Sequence, residues 1–433
     1  MPPANELALP QISESNAWYA RARAVIPGAT QTLAKGASQY VDGVAPKFLQ
    51  RGKGCRVWDV DGNEFIDLTM AVGPLSLGYC YDKVDEAIRR QLEDGITFSL
   101  VHPLEVEVAE LLKGHIPGAE MVRFSKTGCD VTSAAVRLAR AFTGRKVVAC
   151  SGYHGWHDWY IGTTPRNLGV PSEVQALTRK FAYNDLSSVR AILDQDVAAI
   201  ILEPVLFEEP RDGFLQELRQ LCTQNGTLLV FDEMWTGFRL GLGGAQAYFD
   251  VGADLACFSK AVANGMPLSV LSGRREIMSL LENDVFFYTT FGGEALSLAA
   301  AKATLQELRD QRVPLHLAEM GAKLQQGYNQ LAEKHELPFT RCVGLPCRTL
   351  VTFDEKVVDP LLAKSLLQQE LIRHGVLWTG FHNMSFSHQH SDVERILAGY
   401  DSALPVLARA VQKNTLRSEI QGTPVQPVFR KTQ

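Results

Sequence analysis

Several marks of membrane, nucleic-acid-binding and secreted proteins are missing from this sequence. Its apolar stretches are all far too short to cross a bilayer, so we expect no membrane partner. The 48 Asp and Glu residues outnumber the 43 Lys and Arg, for a net charge of −5, and the basic residues form no stripe that would bind nucleic acid. The first residues also lack the charged-then-apolar pattern of a secretion signal, so a cytoplasmic location is expected.

Cysteine pairs are missing as well. The chain has 8 cysteines, none of them in a C-x-x-C pair, and most lie among apolar residues. This pattern favours reduced, mainly buried thiols over a disulfide framework. Because the ligand spacing of a zinc site is absent too, we predict no metal.

Short apolar runs alternate with helical patterns through the middle of the chain. We predict buried strands at residues 147–150, 198–205, 228–234, 255–258 and 268–272. Amphipathic helices are predicted at 131–142, 185–193 and 215–224. Strands that alternate with helices indicate an α/β fold with a mostly parallel central sheet.

The flanks differ from the middle. Residues 56–68 predict a β-hairpin, 295–331 a long helix, 337–353 strands and 392–411 a helix, whereas the last twenty or so residues look frayed. A chain of 433 residues can bury two cores. We therefore predict a large domain at 76–325 and a smaller α+β domain from both ends, with an N-terminal arm in 1–75 and a frayed tail in 326–433.

A phosphate-sized anion is the first ligand that the sequence suggests. Thr127, Gly128 and Cys129 open the predicted helix at 131–142. Gly128 lets the backbone turn tightly, and the free N–H groups of a first helical turn favour an anion. The alternative is an ordinary helix cap by Thr127 or Asp130.

Two loops beside the predicted sheet carry aromatic and acidic groups. Tyr153 and His154 follow the strand at 147–150, and Glu203 lies in the polar ending of the next strand. Loops at the carboxyl ends of parallel strands bind ligands, and an aromatic ring there can stack on a flat heterocycle. A packed aromatic loop with ordinary hydrogen-bonded histidines is the alternative.

Asp232 and Lys260 each end an apolar strand. A carboxylate among apolar residues needs a cationic partner, which for Asp232 is either a protonated pyridine nitrogen or Arg239. Burial lowers the pKa of a lysine and exposes the lone pair that forms an imine. The alternative for Lys260 is an ammonium group that reaches solvent.

One cofactor would use all of these groups. Pyridoxal 5′-phosphate (PLP) needs a phosphate cradle, a stacking ring, a carboxylate at its pyridine nitrogen and an imine-forming lysine. The chain offers them in that order. From about residue 18 to about residue 397, it resembles the class III (subgroup II) aminotransferases, and most closely their glutamate-1-semialdehyde 2,1-aminomutase branch.

The resemblance implies a PLP-dependent transferase fold of type I and a homodimer. It implies that Lys260 forms the Schiff base and that Asp232 faces the pyridine nitrogen. It puts Met234 beneath the ring and Thr290 at the phosphate of the partner subunit. The complete set of implied cofactor contacts is Thr127, Gly128, Cys129, Tyr153, His154, Glu203, Glu208, Asp232, Met234, Lys260 and Thr290.

The implied reaction moves an amino group to a keto or aldehyde substrate through an aldimine of Lys260. An intramolecular aminomutase of the glutamate-1-semialdehyde type would use the same residues. The same scaffold would also suit a decarboxylase or a racemase. A non-catalytic homologue that binds PLP or a protein partner is a further hypothesis.

Four positions that depart from the aminomutase pattern are candidate substrate contacts. Lys35 and Val72 stand where those relatives carry arginine and tryptophan, and His382 and Asn383 stand near the place of an acidic residue. An ammonium lacks the planar fork that holds a carboxylate. We therefore expect a polyhydroxylated or amide-bearing substrate.

Overall fold

The computed structural model describes residues 7–427, and its contacts divide the chain into two compact units. One unit, called the central unit here, is Asp82–Pro314. The described residues before and after it form the second, called the flanking unit. Within residues 7–427, no helix combines the length and the apolar character that a bilayer span requires.

A seven-stranded sheet organises the central unit. Its strands, in spatial order, are Met121–Ser125, Ser269–Gly273, Leu255–Phe258, Leu228–Asp232, Val197–Leu202, Val147–Ser151 and Thr178–Lys180. Only Ser269–Gly273 runs antiparallel to its neighbours; the other described pairings are parallel. The mostly parallel sheet is therefore confirmed, and it agrees with the fold that the resemblance implies.

The strands at the middle of this sheet are fully buried. All residues of Val197–Leu202 and of Leu228–Asp232 are buried, which agrees with their continuous apolar sequence. The strand predicted to reach residue 205 stops at Leu202, where Glu203 and Pro204 follow. Proline has no N–H to donate to a neighbouring strand, so the ladder cannot continue through it.

Helices of the central unit lie between and around these strands. They are Asp82–Asp94, Pro103–His115, Gly128–Thr143, Asp158–Ile161, Ser172–Gln175, Leu186–Ile192, Phe214–Asn225, Gly244–Phe249, Arg275–Met278, Leu280–Asn283 and Ala295–Asp310. A short 3₁₀ helix, Lys260–Ala263, follows the strand Leu255–Phe258. Several helices therefore begin just after a strand ends, which gathers helix starts and strand ends along one edge of the sheet.

The flanking unit contains two small sheets and several helices. One sheet joins Leu49–Lys53, Arg56–Asp59, Glu64–Asp67 and Val376–Leu377; the other joins Thr340–Leu345, Arg348–Phe353 and Phe381–Asn383. Its α-helices include Ser13–Val25, Pro360–Arg373, His390–Gln412 and Leu416–Glu419, and its 3₁₀ helices are Pro27–Ala29, Leu33–Lys35, Ala37–Gln39 and Met70–Val72.

Two predictions about the C-terminal third were wrong. The single helix expected at 295–331 is two helices, Ala295–Asp310 and Val313–Lys334. Arg312 adopts a left-handed φ of 51° between them, which ends the first helix. The tail is not frayed as far as Val425, because Thr423 pairs with Asp42 and the Val425 N–H donates to Ser365 Oγ at 2.9 Å. Residues 428–433 lie outside the described residues.

A left-handed turn follows the hairpin of the flanking unit. Met70, Ala71 and Val72 have φ of 45°, 54° and 71°, and Gly73 follows at 99°. Such backbone costs about 1–2 kcal/mol for each residue other than glycine. The buried carboxylate of Asp67 stabilises the turn, since it accepts backbone N–H groups there.

Candidate active site

Asp232 and His154 form a buried pair at the end of the strand Leu228–Asp232. Asp232 Oδ2 lies 2.8 Å from His154 Nδ1, and His154 Nε2 lies 3.1 Å from the carbonyl oxygen of Ser151. Both neighbours of the ring are acceptors, so both ring nitrogens must carry hydrogen. His154 is therefore an imidazolium that neutralises Asp232. The sequence had suggested Arg239 or a protonated pyridine nitrogen as this cationic partner.

Asp232 keeps capacity for another donor. Its Oδ1 accepts the N–H of Met234 at 3.1 Å, and its Oδ2 accepts the His154 N–H. Each carboxylate oxygen can accept a second hydrogen bond. The pair with His154 is thus compatible with a pyridine N–H on the same carboxylate.

Lys260 lies in the same electrostatic cluster. It follows the strand Leu255–Phe258, begins the 3₁₀ helix and adopts a left-handed φ of 47°. Burial, followed by the negative charge of Asp232, raises the pKa of Glu203, whereas the Tyr153 N–H and the positive charges of His154 and Lys260 lower it. Five residues predicted from separate motifs are therefore near one another.

Tyr153 has a ring face that a ligand could cover. The side chain is 53% exposed, and its packed edge meets Tyr160 with centroids 5.5 Å apart. Its backbone N–H donates to Glu203 Oε1 at 2.8 Å. Burial, and after it the charges of Cys129 and Asp232, raises the pKa of the Tyr153 hydroxyl, so the ring lies beside both residues.

The start of the helix Gly128–Thr143 has the form of an anion cradle. Thr127 N–H donates to Asp130 Oδ2 at 2.8 Å, so the predicted helix cap is present. Within residues 7–427, the N–H groups of Gly128 and Cys129 have no hydrogen-bond partner. A Cβ on Gly128 would lie 2.8 Å from Met234 Sδ, so only glycine leaves this approach open.

Glu208 is not placed as a cofactor contact. Its side chain is exposed and forms an ion pair with Arg211. Because water and Arg211 already satisfy this carboxylate at the surface, the structure gives no support to the expectation that it reaches the cofactor.

His382 and Asn383 are corrections to the predicted substrate contacts. His382 is fully buried in the flanking unit, where Nδ1 lies 2.8 Å from Thr349 Oγ1 and Nε2 lies 2.7 Å from the Tyr400 hydroxyl. Asn383 is 5% exposed and donates to the carbonyl oxygen of Thr69. Both side chains have internal partners, so neither is available to a substrate.

Lys35 and Val72 also belong to the flanking unit, but with different environments. Lys35 is exposed at the end of the 3₁₀ helix Leu33–Lys35. Val72 is partly exposed and lies in the left-handed turn, which a β-branched residue rarely adopts. The set of four candidate substrate contacts therefore loses His382 and Asn383.

Two acidic residues near the motifs have roles that sequence reasoning missed. Glu233 accepts the N–H groups of Ala245 and Gln246 and the hydroxyl of Thr236, and burial raises its pKa to about 7. Glu294 caps the helix Ala295–Asp310 and pairs with Lys126 at 2.8 Å. Glu294 directly precedes a helix, and this position could have predicted its role as a helix cap. No local sequence pattern predicts the partners of Glu233.

The chain belongs to the class-III aminotransferase family, whose model it matches over residues 39–387. It is therefore a PLP-dependent enzyme. It is 35% identical over 395 residues, 88% of this chain and 94% of the relative, to a 3-aminobutyryl-CoA aminotransferase of Cloacimonas acidaminovorans. It is 37% identical over 347 residues to a glutamate-1-semialdehyde 2,1-aminomutase of Methanothrix thermoacetophila, covering 76% and 80% of the two chains.

A solved structure of the FumI protein of Sphingopyxis sp. MTA144 with PLP has a closely similar fold. The TM-score is 0.85 at 28% identity, covering 92% of this chain and 97% of that chain. The cofactor of the present chain is PLP, and the site fits it in two respects. The free N–H groups of Gly128 and Cys129 suit a phosphate, and the spare acceptor capacity of Asp232 suits a pyridinium.

Proposed function

We propose that Lys260 and Asp232 are the catalytic residues of an aminotransferase that acts on a keto or aldehyde acceptor. The observation that carries this proposal is the buried Asp232–His154 pair beside Lys260 and Glu203. A fixed cationic partner offsets part of the cost of burying a carboxylate charge. That charge is what a protonated pyridine nitrogen requires.

Each side chain has a defined task in this proposal. Bound PLP supplies an electron sink for the charge that develops at the substrate carbon. Lys260 would hold PLP through its side-chain amine, and the same amine, when free, would move a proton to and from the substrate. Asp232 would hold a proton at the pyridine nitrogen, and His154 orients the Asp232 carboxylate through the 2.8 Å hydrogen bond to Oδ2.

The remaining contacts orient the cofactor. The N–H groups of Gly128 and Cys129, together with Thr127, would hold the phosphate at the helix start. The exposed face of Tyr153 would stack on the ring, and Met234, which lies against Gly128, would support its other face. Glu203 fixes the Tyr153 backbone through the 2.8 Å hydrogen bond.

Borohydride reduction of the loaded enzyme tests the proposal. The label should be found on the Lys260 peptide alone, and Lys260→Ala should lose both the label and amino transfer. Lys146→Ala, an exposed lysine before the strand Val147–Ser151, is the control and should keep both. A label on another lysine would show that the assignment is wrong.

An intramolecular aminomutase is the second candidate, favoured by the glutamate-1-semialdehyde 2,1-aminomutases among the relatives of this chain. Transfer and mutation differ in whether keto product leaves the enzyme. Stoichiometric release of keto product from an added amine, with aminated cofactor left behind, supports the aminotransferase. Conversion of glutamate-1-semialdehyde to 5-aminolevulinate without such release supports the aminomutase.

We also propose a homodimer in which Thr290 completes the phosphate site of the partner. Thr290 is exposed in a groove of about 770 Å³ within the central unit. Large apolar side chains are exposed on the same groove, among them Leu100 (84%), Val101 (76%) and Tyr288 (54%). Apolar surface of this kind marks a protein contact, and a second copy would cover it.

Mixed dimers test that arrangement. Combining Lys260→Ala chains with Thr290→Ala chains should restore activity, because one site of the heterodimer then has neither change. No recovery in verified heterodimers, or an active monomer in sedimentation, would contradict it. Seven of the eight cysteines are buried, which fits the cytoplasmic location that we propose, and cell fractionation would check it.

A further inference from the structure

A cavity of about 400 Å³ lies wholly within the flanking unit, and its lining includes none of the residues assigned to catalysis. The strand Leu49–Lys53 and the left-handed turn contribute to its walls. Its polar and charged lining includes Lys35, Tyr40, Lys47, Arg51, Asp67 and Tyr79. Three of these residues are cations and one is an acid, so the charge that a ligand meets depends on which of them are already neutralised.

The acid is hydrogen-bonded inside the protein. Asp67 is 1% exposed, and its carboxylate accepts the Tyr79 hydroxyl at 2.7 Å and the Thr69 N–H at 2.7 Å. It also accepts the N–H groups of Met70 and Ala71, and burial raises its pKa. Asp67 therefore holds the turn, and donors of the protein itself satisfy its carboxylate.

One of the three cations is neutralised by an ion pair. Lys47 Nζ lies 2.9 Å from Asp42 Oδ1 and 2.6 Å from Asn16 Oδ1. By contrast, no acidic group among residues 7–427 lies within 4.0 Å of the charged groups of Lys35 or Arg51. The cavity thus carries an unbalanced positive charge from these two residues.

Arg51 is held in an orientation that favours an anion. Its guanidinium carbon lies 4.0 Å from the centroid of the Trp58 ring. Stacking occupies a face of the guanidinium group and leaves its N–H edge free to donate two parallel hydrogen bonds. Trp58 therefore positions Arg51 without consuming its hydrogen bonds.

Gln50 and Thr69 also line the cavity, and most of the remaining lining is apolar, with Leu49, Val57 and Leu377 among its residues. The Tyr79 ring packs where a Cβ on Gly52 would stand, 2.6 Å from the ring, so glycine is needed for this wall. Charge at two points and apolar surface elsewhere suit an amphiphilic ligand. We propose that this cavity binds an organic phosphate, with the phosphate at Lys35 and Arg51 and the organic part against the apolar wall.

The phosphate can belong to the amino-transfer substrate or to a separate effector. In both cases the ligand is an organic phosphate. Binding at the cavity does not depend on the proposed catalytic roles, so it can be measured in their absence. The loaded enzyme is the material to use, because its own phosphate cradle is then occupied by PLP.

Titration calorimetry with inorganic pyrophosphate tests the site. Arg51→Gln and Lys35→Gln should each weaken binding about tenfold or more, since each removes a charge-assisted contact. Arg21→Gln is the matched control, because Arg21 stacks on Trp18 at 4.1 Å as Arg51 does on Trp58 but does not line the cavity. Absence of binding to the loaded enzyme, or equal affinity in all variants, would overturn the proposal.

Kinetics with pyrophosphate then identify the source of the phosphate. Competitive inhibition against the amino substrate, lost in Arg51→Gln, shows that the cavity holds the phosphate of that substrate. Binding without competition shows a separate effector site. Both results support the cavity as a phosphate site. Failure of Lys260 labelling with intact pyrophosphate binding would reject the catalytic assignment alone.

Discussion

His154 of the central unit and His382 of the flanking unit are both buried, yet their partners give them different protonation states. His154 lies between a carboxylate and a carbonyl oxygen, both of them acceptors, and must carry two protons. His382 lies between two hydroxyl groups, which can donate as well as accept. Burial lowers the pKa of His382 to about 3, so this ring is neutral.

The difference teaches that burial alone does not decide whether a histidine is part of a reactive site. A charged ring paired with Asp232 can fix the charge near a cofactor. A neutral ring bound to Thr349 and Tyr400 stabilises the small sheet and has no hydrogen bond left for a ligand. The following four changes test this contrast, beginning with the largest expected effect.

Replacing Asp232 with Asn should have the largest effect. Asparagine is nearly isosteric but cannot keep a proton on the pyridine nitrogen, and it leaves His154 without a counter-charge. We expect the rate of the first half-reaction to fall about a thousandfold at full cofactor loading. Stopped-flow absorbance would measure it, with Asp250→Asn as the control. A rate within threefold of the wild type would show that the charge is unnecessary.

Replacing His154 with Phe should have a smaller effect on rate and a marked one on stability. The change removes the cation from a buried pair, which typically costs about 3–5 kcal/mol. We expect turnover to fall by about ten- to a hundredfold, because Asp232 remains but is less well fixed. Thermal unfolding and half-reaction rates would be measured on one preparation. Unchanged stability would contradict the imidazolium assignment.

The neutral histidines predict acid sensitivity of the flanking unit. Burial lowers the pKa of His382 to about 3 and that of His388 to about 4, whereas an unfolded histidine titrates near 6.5. The unfolded chain therefore binds more protons between pH 6.5 and 4. Stability should be full above pH 6.5 and fall as the pH drops, by about 2 kcal/mol for each histidine at pH 5.

Urea unfolding at pH 7 and pH 5 would measure this loss. His382→Gln should reduce the difference between the two pH values, whatever it does to stability at pH 7. The exposed His390 supplies the control, since His390→Gln should leave the difference unchanged. If His382→Gln keeps the wild-type difference, the buried ring is not the source of the acid sensitivity.

Glu208→Gln should have the smallest effect. Its carboxylate is exposed and paired with Arg211, so we expect cofactor affinity and turnover to change by no more than about twofold. Fluorescence titration of the apoenzyme with PLP would measure the affinity. A drop of tenfold would return Glu208 to the cofactor contacts and refute its placement at the surface.

Sequence reasoning succeeded where the chemistry is local to a strand end. Asp232 and Lys260 each follow an apolar run, and such runs fold as central strands whose ends converge at one sheet edge. Gly128 opens a helix, and that position alone predicts free N–H groups. The mostly parallel sheet and the hairpin in the flank follow from alternation patterns in the same way.

It failed where the deciding contact is remote in sequence. His154 and Asp232 are 78 residues apart, so their pairing could not be inferred from either motif. His382 was assigned by its place in a resemblance, but residues 33 positions before and 18 positions after it enclose the ring. The break at Arg312 was missed because the helical pattern continues on both sides of it.

The ion pair of Lys126 with Glu294 constrains how this chain can evolve. The two side chains are only 18% and 10% exposed, so a change at either position strands a charge that water cannot reach well. Replacing only one of the two residues with a neutral residue would leave the other charge buried without its partner. Substitutions at Lys126, in the loop before the helix Gly128–Thr143, should therefore accompany substitutions at Glu294, 168 residues away, among descendants of this sequence.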